Sequence, residues 1–216
     1  MTATEPRSAV APSRRGRRSG RRREGGRAGF IATVTGLLLV VGAVGMQTLA
    51  LDDEARLAPL TYLGAKGEIV DAGRFTARLD SFSAAKSIQI KDKTIGTDNL
   101  FLIVNVSAKS LLKPYHMGQP VLMTADGKRF DATDRVENTL TLANTWVQPD
   151  IWVSGRFFFE VPASALPDAR VVLALPEQAG LVEAFQPEVE VDLGLDEEAA
   201  RKLAASPQDV YSTDKK

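Results

Sequence analysis

The sequence predicts an all-β protein, built as an antiparallel, two-sheet β-sandwich of seven to eight short strands. A disordered basic tail and one transmembrane helix are expected to precede the sandwich. Two observations lead to this organisation. An arginine-rich segment is followed at once by a long uncharged run, and apolar and polar residues then alternate along most of the remaining chain. A closed β-barrel is the second architecture that this alternation allows.

The net charge of zero conceals two blocks of opposite sign. The chain has 216 residues, with 27 Lys and Arg against 27 Asp and Glu. Residues 1–28 contain nine arginines against two glutamates, which gives +7, so the remainder of the chain carries −7. This segregation indicates separate segments, and the length allows one ordinary domain with appendages.

Cysteine and histidine counts restrict the chemistry that the chain can carry. There is no cysteine, which excludes disulfides, thiolate catalysis and cysteine-based metal sites. His116 is the single histidine, so a multi-histidine metal site is excluded and any histidine-dependent triad would have to use this residue. We therefore predict a protein that is not an enzyme and that holds no cofactor and no metal.

The basic tail, residues 1–28, is expected to be disordered because it lacks the apolar residues that would offset the entropy of ordering. Positive residues beside a membrane span stay in the cytoplasm, so the tail determines topology. Arg14–Arg27 are also expected to contact anionic lipid headgroups. Nucleic-acid binding is the alternative for such a segment. The span that follows explains the charges better, and we predict no nucleic-acid partner.

The uncharged run from Ala28 to Leu51 is long enough to cross a membrane. As a helix it would measure about 36 Å, against about 30 Å for the hydrocarbon core. Arg27 flanks one end, and the acidic residues 52–54 flank the other. We therefore predict a retained signal anchor at residues 29–51, with the N-terminus in the cytoplasm and the C-terminal domain outside the cell membrane.

A cleavable signal peptide is the competing interpretation of the same run. The sequence Thr48-Leu49-Ala50 would be a passable cleavage site. The apolar core Phe30–Met46 is longer than the roughly 7–15 residues usual for such peptides, which favours the anchor.

Alternating strands fill the segment after the predicted span. Residues 52–63 are expected to form a stem and residues 64–194 the sandwich. In the longest apolar strand, Phe101 and Ile103 face away from Leu102 and Val104, so this strand should be covered on both sides. The predicted strands are Arg74–Asp80, Ser87–Lys91, Asn99–Lys109, Val121–Ala125, Trp152–Val161, Arg170–Leu175 and Glu188–Leu193. Lys128–Phe130 is also expected to return as a strand from the tight turn Asp126-Gly127.

The last segment, residues 195–216, is expected to contain one short helix and a frayed end. Acidic residues precede basic ones within 195–205, which matches the helix dipole. Pro207 should end the helix, and the residues after it are expected to be frayed.

Several of these segments together resemble a known family. They are Gly73-Arg-Phe75, the long strand Asn99–Lys109, the turn Ala125–Phe130 and the block Val147–Pro162, whose strand ends in Val-Pro. Over residues 64–176 the chain resembles the telokin-like family of bacterial extracellular domains, a domain-of-unknown-function group. Asp150 and Ser110 depart from the family pattern, where Gly and Asn are usual.

The resemblance implies an immunoglobulin-like sandwich. It also implies a place among the lipoproteins, secreted antigens and single-pass membrane proteins of Gram-positive envelopes. It implies no catalytic residues.

Two segments hold the candidate partner-binding residues. The connection Lys109–Pro120 is interpreted either as a recognition loop or as a crossover that caps the core. Trp146 and Trp152 flank a turn, and they would form an aromatic contact surface or pack at a sheet edge. The candidate residues are Lys113, Tyr115, His116, Met117, Trp146 and Trp152.

The leading functional hypothesis is a membrane-anchored extracytoplasmic module with a non-enzymatic binding or assembly role. It would contact an envelope protein through loops or an edge strand. Two alternatives stay open: a secreted antigen-like protein released by signal cleavage, and a cell-envelope enzyme acting on glycan or peptide.

Overall fold

The computed structural model describes residues 34–37, 40, 58–176 and 184–214. Contacts divide the chain into two units, residues 1–51 and 52–216. In the first unit, residues 34–37 and 40 are α-helical. The predicted disordered tail, most of the predicted span and residues 52–57 of the predicted stem lie outside the described residues. Within the part of the chain that is described, no helix is long and apolar enough to cross a membrane.

The second unit is a β-sandwich. Its described residues also form three short 3-10 helices, at Asn138–Leu140, Leu142–Asn144 and Ala163–Ala165. The strands are β1 (Leu60–Ala65), β2 (Val70–Asp71), β3 (Phe75–Ile90), β4 (Lys93–Ser110), β5 (Val121–Met123), β6 (Arg129–Asp131), β7 (Val153–Val161), β8 (Arg170–Ala174), β9 (Pro187–Asp192) and β10 (Tyr211–Ser212).

Two sheets are formed, with the strand orders β1-β9-β8-β5-β6 and β10-β3-β4-β7, and β2 also pairs with β3. The described residues thus contain ten strands rather than seven to eight. Two pairings, β1 with β9 and β10 with β3, are parallel rather than antiparallel. β1 begins inside the predicted stem, and β10 lies in the end that was expected to fray. Both satisfy their backbone hydrogen bonds with strands distant in sequence, which local periodicity does not reveal.

Strand β4 is the central strand of its sheet. Its pairing with β3 places Phe75 opposite Ser110, and its pairing with β7 places Val161 opposite Leu100. The segments predicted as separate strands near residues 74–80 and 87–91 form one continuous β3, with register shifts after Leu79 and Ala85. Such shifts accommodate the twist of a long hairpin.

The main core lies between the two sheets. The predicted inward faces are confirmed: alternate residues of β4 and β7 are buried there, and β9 contributes Val189 and Val191 from the opposite sheet. The contributing residues of β4 and β7 are Leu102, Val104, Val106, Phe157, Phe159 and Val161.

A second apolar cluster lies on the outer face of the β3-β4-β7 sheet. Phe101 and Ile103, predicted to be covered on the side opposite the core, are fully buried here with Phe158. Val136 covers them from the segment that follows β6, and the ring of Tyr211 in β10 meets Phe158 edge-on at 6.1 Å. The prediction that β4 is covered on both sides is therefore confirmed.

The C-terminal helix runs from Glu197 to Ala205. Its N-cap is Asp196, whose carboxylate accepts a hydrogen bond from the Ala199 backbone N–H at 2.7 Å. This satisfies one of the free N–H groups of the first turn. The helix therefore begins two residues later than the range expected from the charge pattern.

Arg135 fastens the covering segment to the sheet. It donates to both carboxylate oxygens of Glu160, at 3.0 and 2.9 Å, and to the carbonyl oxygen of Gly96 at 2.8 Å. Desolvation of Glu160 acts to raise its pKa. Hydrogen bonds from Thr97 and Arg135 outweigh that effect, so the pKa lies below its ordinary value.

We expect acid to weaken the domain partly through Glu160. Because its pKa is lower in the folded state, its stabilisation is present above the unfolded pKa and is lost as the pH falls through the folded pKa. Glu160→Gln should lower the free energy of unfolding at neutral pH by about 1 kcal/mol. Because the variant has no carboxylate at this position, its free energy of unfolding should also fall less between neutral and acidic pH. Urea unfolding at neutral and acidic pH measures both, and an identical acid dependence in the two proteins would contradict the assignment.

Two glycines of the β3-β4-β7 sheet provide a matched test of packing. A Cβ on Gly155 would lie 2.8 Å from the Cβ of Leu142, a fully buried residue, and 3.0 Å from its Cα. Gly155→Ala should therefore destabilise the domain by about 1–3 kcal/mol. A Cβ on Gly96 meets nothing within 4 Å, so Gly96→Ala should leave the stability nearly unchanged. Thermal unfolding of the two variants measures the difference, and equal losses would disprove the packing argument.

Candidate binding surface at one end of the sandwich

The candidate residues lie at one end of the sandwich, which we call the loop end. Here β4 ends at Ser110 and β7 begins at Val153. β8 also ends here and β9 begins, and the N–H of Gly118 donates to the carbonyl oxygen of Ala174 at 2.9 Å. The loop end thus contains segments 111–120 and 144–152 and residues 184–186.

Backbone hydrogen bonds join the two candidate segments. Tyr115 and Val147 exchange two hydrogen bonds, of 3.0 and 2.8 Å. The N–H of Ser110 donates to the Gln148 carbonyl at 3.1 Å, and the N–H of Asp150 donates to the Ser110 carbonyl at 3.1 Å. Residues 32 to 40 positions apart are therefore held side by side on a hydrogen-bonded frame.

The two departures from the family pattern lie in this frame. Asp150 has a φ of 57°, the left-handed region where glycine is usual and where Asp is also tolerated. Its carboxylate lies 3.9 Å from the Lys109 ammonium group. The Ser110 hydroxyl donates to the Lys113 carbonyl and accepts from the Leu112 N–H at 3.2 Å, so it closes the turn that starts the first segment.

Trp146 stacks on the only histidine. The ring centroids of Trp146 and His116 are 4.0 Å apart and the planes are tilted by 47°. Nδ1 of His116 lies 3.0 Å from the Ala143 carbonyl oxygen, to which it donates. The histidine is half-buried, whereas 56% of Trp146 is exposed. The imidazole therefore supports an outward-facing indole.

Trp152 lies on the outer face of the β3-β4-β7 sheet and makes a different set of contacts. The Arg78 guanidinium and the Lys109 ammonium each lie 5.7 Å from its ring centroid, within the range of cation–π attraction. The indole is exposed. The two tryptophans thus belong to two separate ring contacts at the same end of the domain.

The remaining candidates divide between surface and core. The Lys113 ammonium lies 5.5 Å from the Tyr115 ring, and the half-buried Tyr115 packs against the main core. Met117 is only 2% exposed, so its assignment as a partner-contacting residue needs correction. Its side chain fills the space between the sheets where the crossover enters β5. In the connection Lys109–Pro120, Tyr115 and Met117 therefore pack against the core, as a crossover would, while Lys113 lies at the surface, as in a recognition loop.

The structure adds exposed apolar residues that sequence reasoning did not select. In the connection Lys109–Pro120, Leu112 is 65% exposed and so does not cap the core, and Ile151, in the turn between the tryptophans, is 55% exposed. Together with the tryptophans they form what we call the loop-end surface. Its members are Leu60, Leu112, Trp146, Ile151, Trp152 and Phe185.

One polar cluster lies beside this surface. The Ser107 hydroxyl donates to the Asp80 carboxylate and lies 2.7 Å from the Ser154 hydroxyl. The carboxylate is also paired with Arg78. Ser107 is buried and Ser154 is exposed, and this chain of hydrogen bonds links β3, β4 and β7. Among the described residues, no group of three or more His, Asp or Glu side chains is arranged to hold a metal ion.

No protein-family model and no curated protein matches the chain. Similar solved structures include the YjhA protein of Bacillus subtilis, with 14% identity and a TM-score of 0.45 over 60% of this chain and 99% of that one. A β-sandwich protein of Clostridium difficile has 10% identity and a TM-score of 0.39 over 62% and 95% of the two chains. The secreted protein MPT63 of Mycobacterium tuberculosis has 11% identity and a TM-score of 0.41 over 62% of this chain and 98% of that one.

These likenesses are too distant to carry a functional argument. The telokin-like resemblance is not confirmed by them. The β-sandwich assignment accordingly rests on the two sheets of this chain.

Met117 is buried and Trp146 is exposed, so substitutions of these two residues should change the stability of the domain by different amounts. Met117→Ala should lower the free energy of unfolding by about 2–5 kcal/mol, because it leaves a cavity between the sheets. Trp146→Ala removes an exposed ring and one stacking contact, so we expect a loss of no more than about 1 kcal/mol. Urea unfolding measures both values. A larger loss for Trp146→Ala than for Met117→Ala would overturn this division.

Proposed function

We propose that the protein is a membrane-anchored, extracytoplasmic β-sandwich that acts as a non-enzymatic binding or assembly module. The observation that carries this proposal is the loop-end surface, where Trp146, Ile151 and Leu112 are exposed together on hydrogen-bonded loops. Large apolar side chains that are exposed together at one end of a domain favour an interaction site there. Loops held on a rigid sandwich are also where such domains carry their contacts.

An immunoglobulin-like topology is part of the proposal. The order β3-β4-β7 in one sheet and β6-β5-β8-β9 in the other corresponds to strands A-B-E and C′-C-F-G of that fold. The resemblance of residues 64–176 to telokin-like domains supports the same topology. It also supports a place in the bacterial cell envelope.

Anchoring is proposed from the sequence. The uncharged run at residues 29–51, with arginines before it and acidic residues after it, supports a single span with a cytoplasmic tail. Arg14–Arg27 would then lie against anionic headgroups of the inner leaflet. The sandwich would be presented outside the cell membrane.

A non-catalytic role is supported by the position of the single histidine. His116 is engaged by the Ala143 carbonyl and by Trp146, an arrangement that fixes two loops together. A general base needs a substrate proton or a nucleophile within hydrogen-bond reach. The sequence favours an envelope protein as the component that the module contacts.

The absence of cysteine from the chain allows a direct test of topology. Single substitutions Ser8→Cys in the tail and Lys93→Cys at the tip of the β3–β4 hairpin each introduce one reactive thiol. In intact cells, a membrane-impermeant maleimide should label Lys93→Cys. Ser8→Cys should be labelled only after the membrane is permeabilised, and both proteins should stay in the membrane fraction after alkaline carbonate extraction.

Two results would count against this topology. A mature chain in the medium that starts near Leu51 would replace the anchored module with the secreted alternative. Labelling of Ser8→Cys but not of Lys93→Cys in intact cells would place the sandwich in the cytoplasm and overturn the proposal.

A further inference from the structure

Exposed apolar side chains are concentrated at one end of the sandwich. Of the nine large hydrophobic residues that are exposed in the described ranges 58–176 and 184–214, six belong to the loop-end surface. The other three lie elsewhere: Leu63 within β1, Ile69 in the turn after β1, and Val210 beside β10. Scattered exposed apolar residues are normal on a protein, but a concentration at one end calls for a partner.

The chain enters the sandwich at this same end. Leu60 is the first residue of β1, and its N–H donates to the Gln186 carbonyl at 3.0 Å. Leu60 follows Leu51, the last residue of the predicted span, by nine positions. At 3.3–3.6 Å per residue, these positions reach at most about 30 Å even when fully extended. A retained span would therefore keep the loop end close to the bilayer surface.

The side chains of this end have the composition of a membrane interface. Tryptophan is enriched at headgroup level because its ring is apolar while its N–H is polar. Beside the indole of Trp152 lie Arg78 and Lys109, and Lys113 lies over the ring of Tyr115. The long stems of these cations can rest on apolar groups while their charges reach phosphate oxygens. Two acidic residues lie nearby: Asp80 is 2.6 Å from Arg78 and Asp150 is 3.9 Å from Lys109.

We propose that the loop-end surface docks on the outer interface of the membrane that anchors the chain, with Trp146 and Trp152 at headgroup level. This rests on the proposed anchor, which holds the surface near lipid. It assigns the bilayer to the surface that carries the tryptophans, so the envelope protein that the sequence favours would contact another part of the sandwich.

Intrinsic fluorescence tests the docking directly, because Trp146 and Trp152 are the only tryptophans in the chain. The full-length protein is reconstituted into phosphatidylglycerol–phosphatidylcholine vesicles, with the phosphatidylcholine either plain or brominated near the headgroup end of its acyl chains. Bromine quenches an indole only at close range. We expect the protein to lose most of its emission in the brominated vesicles, and the single variants Trp146→Phe and Trp152→Phe should each remain quenched.

A matched control moves the reporter to the opposite end. In a Trp146→Phe/Trp152→Phe background, Lys93→Trp places the only indole at the exposed tip of the β3–β4 hairpin, at the end of β3 away from Phe75 and Ser110. This protein should be equally bright in both kinds of vesicle. In the otherwise unaltered chain, Leu112→Glu with Ile151→Glu should restore much of the lost emission, because both substitutions put charge into the docked surface.

The outcomes separate this proposal from the anchor on which it rests. Carbonate-resistant protein whose two native indoles are unquenched would overturn the docking and leave the anchor intact. Carbonate-extractable protein with quenched indoles would support the docking and overturn the anchor. Extractable and unquenched protein would overturn both. A photo-crosslinker at position 151 that captures a protein in cells, and no lipid, would also overturn the docking.

Discussion

The whole sandwich depends on covering strand β4 on both of its faces. Its inward residues, such as Leu102 and Val104, close the main core, while Phe101 and Ile103 require a second cover on the outside. A strand that is apolar on both faces cannot lie at a solvated surface without a large loss of hydrophobic stabilisation. The chain therefore lays the segment around Val136 over the outer face, and Tyr211 of the edge strand β10 packs against the same cluster.

The same strand positions the loop-end surface. Because β4 ends at Ser110 beside the start of β7, the two loops that continue from these strands exchange backbone hydrogen bonds, from Ser110 to Gln148 and Asp150 and between Tyr115 and Val147. These bonds satisfy the polar backbone of the loops locally. The side chains of Trp146, Ile151 and Leu112 are consequently free to point outward, although burying them would have stabilised an isolated domain.

A binding role and a membrane position are consistent with one physical picture. The frame is held by hydrogen bonds, its exposed groups are apolar and aromatic, and cations lie beside Trp152 and Tyr115. The chain also enters at the same end. In this picture the domain gives up some stability at the loop end in exchange for contact with the component that covers it. Its only histidine packs between the two loops, against Trp146 and the Ala143 carbonyl.

The sequence by itself determined the class of fold, the two covered faces of β4 and the presence of the C-terminal helix. Alternation of apolar residues and the order of charges along a helix are local properties, and they are written in neighbouring residues. It also predicts the membrane span, which the described residues do not test. Only the tertiary structure decided the parallel pairings of β1 and β10, the burial of Met117 and the gathering of Leu112, Ile151 and Phe185 at one end. Loop residues have no periodicity, and their exposure depends on which distant segment happens to lie over them.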